Sequence, residues 1–271
     1  MMDADSSPAA ISDETNGKRS AMETMPDIVD EVQRLMEASD RQNMHLRLIG
    51  GLAIRVHSPS ATHRTLRRDY PDMDFVVPKR VKRKLDAFFA DLGYVPEKNF
   101  NLLNGDRRLI FYDAGSGRRI DVFVGDFEMC HKLPMRNRLD SHPVTIPLAE
   151  LFLSKTQIVD LNRKDALDIV SLLLDNEVGF TDDTINMDRI ARLCLKDWGL
   201  YKTLTINLSK VESVLVNENP GLSDEDTQRV LERINTIRRI LDRAAKPFLW
   251  KIRDRVGTRV RWYTEVEEVN R

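Results

Sequence analysis

The sequence predicts an α/β fold: a mixed β-sheet flanked by helices over residues 26–147, then an all-helical domain over 148–271. Three observations carry this expectation. Short apolar runs of period two alternate with runs of helical period in the first half of the chain. A Gly50-Gly51 turn, Pro78 and the turn Asp113-Ala-Gly-Ser-Gly117 punctuate those runs. After Pro147 the period is helical almost throughout.

The elements follow in order. Residues 1–25 are rich in Ser, Asp, Ala and Glu without apolar period, and read as a disordered tail. Asp27 to Ala38 reads as a helix, because Ile28, Val29, Val32, Leu35 and Met36 form one stripe. His45 to Ile49 alternates and runs into Gly50-Gly51, a strand ending in a turn, and Leu52 to Val56 suggests a short helix after it. Residues 57–71 form a polar, basic loop. Asp72 to Val77 is a second strand, stopped by Pro78. Residues 79–92 read as an amphipathic helix with Val81, Leu85, Phe88, Phe89 and Leu92 inward and Gly93 at its C-cap. Arg107–Tyr112 and Arg118–Val124 pair as a hairpin around the turn. Helices are expected at 148–160, 163–175, 187–197, 199–217 and 223–244, the last capped by Ser223.

Composition excludes several classes. Of 271 residues, 41% are hydrophobic, enough for a real core, so wholesale disorder is excluded. Lys+Arg 42 against Asp+Glu 43 leaves a net charge of −1, which excludes a globally basic nucleic-acid binder but not local basic patches. No apolar run approaches the ~20 residues of a membrane helix. The acidic, polar start is unlike a signal peptide. The two cysteines, Cys130 and Cys194, give neither a disulfide framework nor a metal spacing, and the five histidines show no zinc spacing. A cytoplasmic protein with reduced thiols is expected.

Three acidic residues carry the chemistry. Asp72 and Asp74 lie two apart on a strand, so their side chains leave the same face. Asp121 sits within the apolar strand Arg-Ile-Asp-Val-Phe-Val. An unpaired carboxylate costs several kcal/mol to bury. Three of them on adjacent strands would repel one another unless a cation lay between. Hard divalent ions such as Mg²⁺ take oxygen ligands and substrate phosphates, so the trio reads as a site for one or two Mg²⁺ ions serving a phosphoryl-type displacement. The plainer alternative is a set of strand-edge carboxylates paired with Arg118 and Arg119. The Gly50-Gly51 turn, leading into a helix, suits close backbone approach to a phosphate.

Leu48-Ile49-Gly50-Gly51, then Asp72-Met73-Asp74-Phe75, then Ile120-Asp121-Val122 resembles the DNA polymerase β-like nucleotidyltransferase superfamily. Ser154-Lys155, followed by Arg163-Lys164-Asp165-Ala-Leu-Asp168, resembles its AbiEii-type branch, which includes toxins of toxin–antitoxin systems. The first resemblance covers residues 45–125 and the second extends to about 175. It implies that residues 26–147 are a nucleotidyltransferase domain and that the chain moves an NMP from an NTP to an acceptor hydroxyl. It implies that Gly50 and Gly51 hold the triphosphate, that Asp72, Asp74 and Asp121 ligate Mg²⁺, and that Asp121 activates the acceptor. Lys155 is implied to contact phosphate, and Asp165 and Asp168 to orient that lysine or contact the nucleotide. RNA, in particular a tRNA end, is the implied acceptor, and an antitoxin or regulator the implied protein partner.

The chain departs from the family pattern twice. The stretch from Gly51 to Asp72 is long and carries Arg64, Arg67 and Arg68, which suggests a lid or acceptor-binding loop, with Arg64 as a nucleotide contact. Leu52 stands where a small or hydroxyl residue often follows the glycines. Two other functions fit the same residues: adenylylation of a small molecule of aminoglycoside type, and a non-catalytic module holding RNA or protein. The C-terminal mix of Trp250, Trp262 and Tyr263 with Arg253, Arg255, Arg259 and Arg261 suits either RNA stacking or inward-packed aromatics with outward arginines.

Overall fold

The computed structural model describes residues 23–63 and 65–266. Arg64 and most of the expected N-terminal tail lie outside the described residues. The chain has the expected α/β class: one five-stranded mixed sheet flanked by helices, with a helical C-terminal region.

Helix α1 (Ile28–Arg41) opens on Asp27, whose carboxylate accepts from the amides of Val29 at 2.7 Å and Asp30 at 3.2 Å. Strand β1 (Arg47–Ile49) runs directly into α2 (Gly50–His57). Strand β2 (Asp72–Val77) follows the basic loop. The helix expected over 79–92 is divided: Lys79–Lys84 forms a 3₁₀ segment and only α3 (Leu85–Asp91) is α-helical. Five of those first six residues are cationic and only Val81 is buried, so little apolar burial holds the tighter segment to α geometry. Strand β3 (Tyr94–Pro96) and α4 (Lys98–Asn104) follow, then the hairpin β4 (Arg108–Asp113) and β5 (Arg119–Val124).

The sheet order is β1-β2-β5-β4-β3. The β2–β5 pairing is parallel and the other three are antiparallel. The far edge of β1 is covered by the segment around Thr145: the Leu48 amide donates to Val144 at 2.8 Å and the Ile146 amide to Leu48 at 3.1 Å.

The helices after Pro147 are α5 (Leu148–Thr156), α6 (Arg163–Asp175), α7 (Met187–Lys196), α8 (Trp198–Ser213), α9 (Asp224–Arg243) and α10 (Phe248–Val256). Helix α5 stops earlier than expected. Asn207 on α8 takes the carbonyls of Thr156 at 2.9 Å and Ile158 at 2.6 Å, which satisfies them outside a helix. A short parallel pairing of Val178–Gly179 with Ile185–Asn186 interrupts the expected all-helical region. Glu150 on α5 is fully buried and pairs with Arg138 at 2.7 Å and Arg189 at 2.8 Å, which ties α5 to its surroundings.

One apolar core runs from α1 through both faces of the sheet's helices to α9. Of the C-terminal aromatics Trp250 takes the inward alternative, Trp262 and Tyr263 are half-buried, and Phe248 is exposed. Trp198 and Trp250 are buried, and their indole N–H groups donate to Asp254 at 2.7 Å and to the Cys194 carbonyl at 3.0 Å. Trp262 donates to Thr203 at 3.0 Å. Among the described residues, no helix is long and apolar enough to cross a membrane.

Candidate active site

Strand alternation sorts the side chains of β2 and β5. Met73 and Phe75 bury into the core on one face, which sends Asp72 and Asp74 to the other. In β5, Ile120 and Val122 point with the core and Arg119 and Asp121 point away. The parallel register then sets Asp74 directly beside Asp121 and Asp72 beside Arg119. On the next strand Ile110 lies opposite Asp121, so Arg108 shares the same face. Three carboxylates and two guanidiniums therefore occupy one patch of sheet.

The arginines claim two of the acids. Arg108 grips Asp121 with both arms, Nε to Oδ1 at 2.7 Å and Nη2 to Oδ2. Its guanidinium is flanked by Phe123 and Phe100, at 5.2 and 5.6 Å from the ring centroids. Arg119 Nη2 donates to Asp72 Oδ2 at 3.0 Å. Among the described residues, no hydrogen bond or ion pair reaches the Asp74 carboxylate. Burial, first, and the neighbouring Asp121 charge push the Asp74 carboxyl up to about 7; Asp72 adds to this while Lys155 and Arg119 oppose it.

Gly50 is the third side of the patch. Ile49 lies opposite Asp74 across the antiparallel β1–β2 pairing, and Gly50 follows at φ +73°. A Cβ on Gly50 would collide with Asp74 Oδ2. Glycine is required here both for the left-handed backbone and for the close approach. Gly50→Ala is expected to cost more stability than Gly117→Ala. Gly117 has a similar φ of +70° with open space where a Cβ would stand, so it isolates the strain of roughly 1–2 kcal/mol. Thermal melts of the two variants give the comparison; equal losses would mean that Asp74 does not press on Gly50.

These residues fit a hard cation in donor type. The patch offers carboxylate oxygens, that of Asp74 pushed up to about 7 by burial and by Asp121, beside a diglycine bend that the Asp74 and Arg68 side chains approach closely. As the side chains stand, no group of three His, Cys, Asp or Glu among the described residues gathers into a metal-binding set. The physical reason is that Asp121 and Asp72 face Arg108 and Arg119. Coordination by all three aspartates needs those two guanidiniums to be exchanged for the ion.

A second cluster stands on the helices. Lys155 on α5 places Nζ 2.7 Å from Asp165 Oδ1 and 2.9 Å from Asp168 Oδ2, both on α6. The three-residue spacing on α6 turns the two carboxylates the same way. Burial works against the Lys155 charge, but Asp168 and Asp165 outweigh it and raise its pKa. Asp168 is nearly inaccessible and is shared with Arg68, whose Nε and Nη2 donate to its two oxygens at 2.9 and 2.7 Å. Arg68 stacks 4.5 Å above the Tyr70 ring and fills the space where a Cβ on Gly51 would lie. The Gly51–Asp72 stretch thus delivers Arg68 onto the diglycine turn. Lys155 links the clusters through its electrostatic effect on Asp74.

The structure brings together Gly50 with Asp72, Asp74 and Asp121, and Lys155 with Asp165, Asp168, Arg68 and Gly51. Sequence reasoning missed Arg108 and Tyr70, and named Arg119 only in the alternative that pairs it with the acids, a pairing found with Asp72. The signal for the two arginines was parity: each is an even number of residues from an acid-facing position on its strand. Nothing in the sequence marks Arg68 as the partner of Asp168. A cleft of about 1020 Å³ opens beside the patch and reaches it at Asp72 and Arg119; Asp74 and Asp121 lie outside its lining.

No protein-family model matches the chain. No curated protein matches it either. Two solved structures are similar over most of its length. One is the antibiotic-resistance factor ANT(2'')-Ia, with 12% identity, 79% of this chain and 96% of that one covered, and a TM-score of 0.34. The other is a STING-associated CdnE c-di-GMP synthase from Capnocytophaga granulosa, with 10% identity, 80% and 86% covered, and a TM-score of 0.22. Likeness of that degree leaves the function to be argued from the site.

Proposed function

We propose that this chain is a nucleotidyltransferase that moves an NMP from an NTP to an acceptor hydroxyl, with RNA as the acceptor. The observation that supports the reading most is the register that sets Asp74 beside Asp121, with Asp72 on the same face and Gly50 pressed against Asp74. In the reaction the acceptor oxygen attacks the α-phosphorus in line. The bond from that phosphorus to the bridging oxygen breaks and pyrophosphate leaves. The hydroxyl proton goes to the Asp121 carboxylate.

The residues divide the work. Asp72, Asp74 and Asp121 would hold magnesium, which when bound supplies neutralising charge to the phosphates and to the attacking oxygen. Gly50 and Gly51 let the backbone approach the triphosphate. Lys155, braced by Asp165 and Asp168, offers a fixed ammonium at low reorganisation cost. Arg68 offers a second cation against Gly51.

The test is direct. The full chain is incubated with Mg²⁺, each α-labelled NTP in turn, and total RNA. Labelled RNA is expected with at least one NTP. The Asp72→Asn/Asp74→Asn double variant should lose the labelling by roughly a thousandfold, the scale of removing preorganised electrostatic stabilisation. No label with any NTP sinks the RNA acceptor, and undiminished labelling in the double variant sinks the enzyme reading.

A further inference from the structure

The cleft beside the aspartate patch is built from parts far apart in sequence. It is walled by the start of α1, by Arg55 on α2, by the loop through Arg67 and Tyr70, by the turn at Arg118, and by Asp72 and Arg119 at the strand ends. Five arginines line it against three aspartates.

Two of the aspartates are engaged, Asp27 as the cap of α1 and Asp72 against Arg119 at 3.0 Å, and the third, Asp69, is exposed at the rim. Arg68 is spent on Asp168. The other cations are not matched in this way. Arg118 donates to two neutral acceptors, the carbonyls of Met25 at 2.9 Å and Pro26 at 2.7 Å. Among the described residues, Arg55 and Arg67 make no hydrogen bond or ion pair; Arg55 lies 5.9 Å from the Tyr70 centroid and acts on Asp27 only through its field, as Arg118 does. The Tyr70 hydroxyl and Arg119 Nε are buried with no hydrogen-bond partner.

A buried donor left unpaired costs about 1–3 kcal/mol. Here two such donors belong to residues lining a cleft whose arginines outnumber its aspartates by five to three. Guanidiniums donate and cannot accept, so a ligand that satisfies this wall must bring negative charge and several acceptor oxygens. Phosphate does both. A polycationic drug does neither, and would meet Arg55, Arg67 and Arg118 as repulsion.

We infer that this cleft receives a phosphate-bearing acceptor, its phosphates held by Arg55 and Arg67 and its oxygens by the Tyr70 hydroxyl and Arg119 Nε, so that an adjacent hydroxyl points across Asp72 to the aspartate patch. The inference rests on the nucleotidyltransferase reading, to which it adds the place where the acceptor binds and the residues that hold its phosphates. The phosphate can belong to a nucleic-acid strand or to a free nucleotide.

Binding to the full-length wild type is measured by anisotropy with a labelled single-stranded RNA of about 12 nucleotides. A nucleoside monophosphate and an aminoglycoside are titrated as competitors, and salt is varied. Each of Arg55→Glu and Arg67→Glu is expected to weaken phosphate-ligand binding at least about tenfold, and each lost strand contact to reduce the salt slope by about 0.7. Arg55→Lys should keep the slope, and Tyr70→Phe should weaken binding without changing it. Thermal melts confirm that the variants are folded.

A wild-type salt slope well above one on the strand identifies a nucleic-acid acceptor; binding of the monophosphate alone identifies a nucleotide acceptor. Charge reversals that bind as wild type overturn the inference, as does preference for the aminoglycoside. A separate titration of wild type with labelled NTP and Mg²⁺ distinguishes the two failures. NTP binding without any phosphate-bearing acceptor defeats this inference alone; no NTP binding defeats the underlying reading.

Discussion

Asp74→Asn is expected to abolish the proposed nucleotidyl transfer and, in metal-free buffer at pH 8, to make the protein melt at a higher temperature than wild type. The two effects have one source. The Asp74 carboxyl is pushed up to about 7 from 3.8 by burial and by Asp121. Its folded state therefore disfavours the charge more than the unfolded chain does. The penalty is absent below about pH 3.8, where both states are protonated. It grows as pH rises toward 7 and is complete above that. A shift of this size corresponds to a few kcal/mol at 1.4 per unit, and solvent screening at a partly accessible carboxylate reduces it to about 2–3 kcal/mol. For a chain of this length that is roughly 5–10 °C in melting temperature. Asparagine keeps the shape and removes the charge. Melts of both proteins in EDTA from pH 5 to 8.5 should show a gap that widens with pH. A variant that melts below wild type at every pH contradicts the account.

Asp168→Ala should have the opposite effect, a loss of at least about 3 kcal/mol and a melting temperature lower by about 10 °C. Asp168 is 4% exposed and serves two cations at once, Lys155 at 2.9 Å and Arg68 at 2.7 Å. Without it Arg68 has no carboxylate partner and Lys155 keeps only Asp165. Removing one member of a buried ion cluster costs far more than removing a surface pair, because the remaining charge is left desolvated. A double-mutant cycle with Arg68→Ala should give a coupling above about 0.5 kcal/mol. A single variant within about 0.5 kcal/mol of wild type would place the cluster with ordinary surface pairs.

What the sequence could reveal follows from where each signal resides. Strand Asp72–Val77 and helix Arg163–Asp175 were legible to the residue, because local alternation marks the first and helical period the second. The acids were legible because charge inside apolar strands is unusual. The pairing that joins Asp74 to Asp121 was not, since the register of a parallel crossover leaves no local trace. Helix α4 escaped notice because it has no buried residue, and so no apolar stripe. Helix α10 escaped because Phe248, Leu249, Ile252 and Val256 face solvent while only Trp250 is buried, the reverse of the usual pattern. Arg108 and Arg119 were legible only through strand parity, and the pairing of Arg68 with Asp168 lies outside any periodic code, since the fold and not the spacing chooses it.

The lone parallel seam also bears on how this molecule comes into being. Strand β5 pairs with its sequence neighbour β4 on one edge and with β2, across the helices and strands between them, on the other. Closing so long a loop is slow compared with zipping neighbouring strands. A nascent chain therefore has Asp72 and Asp74 in hand well before Asp121 arrives, and Lys155 emerges later still. The proposed site is therefore complete only once Lys155 has been made, and a chain that stops before it lacks one of the site's cations.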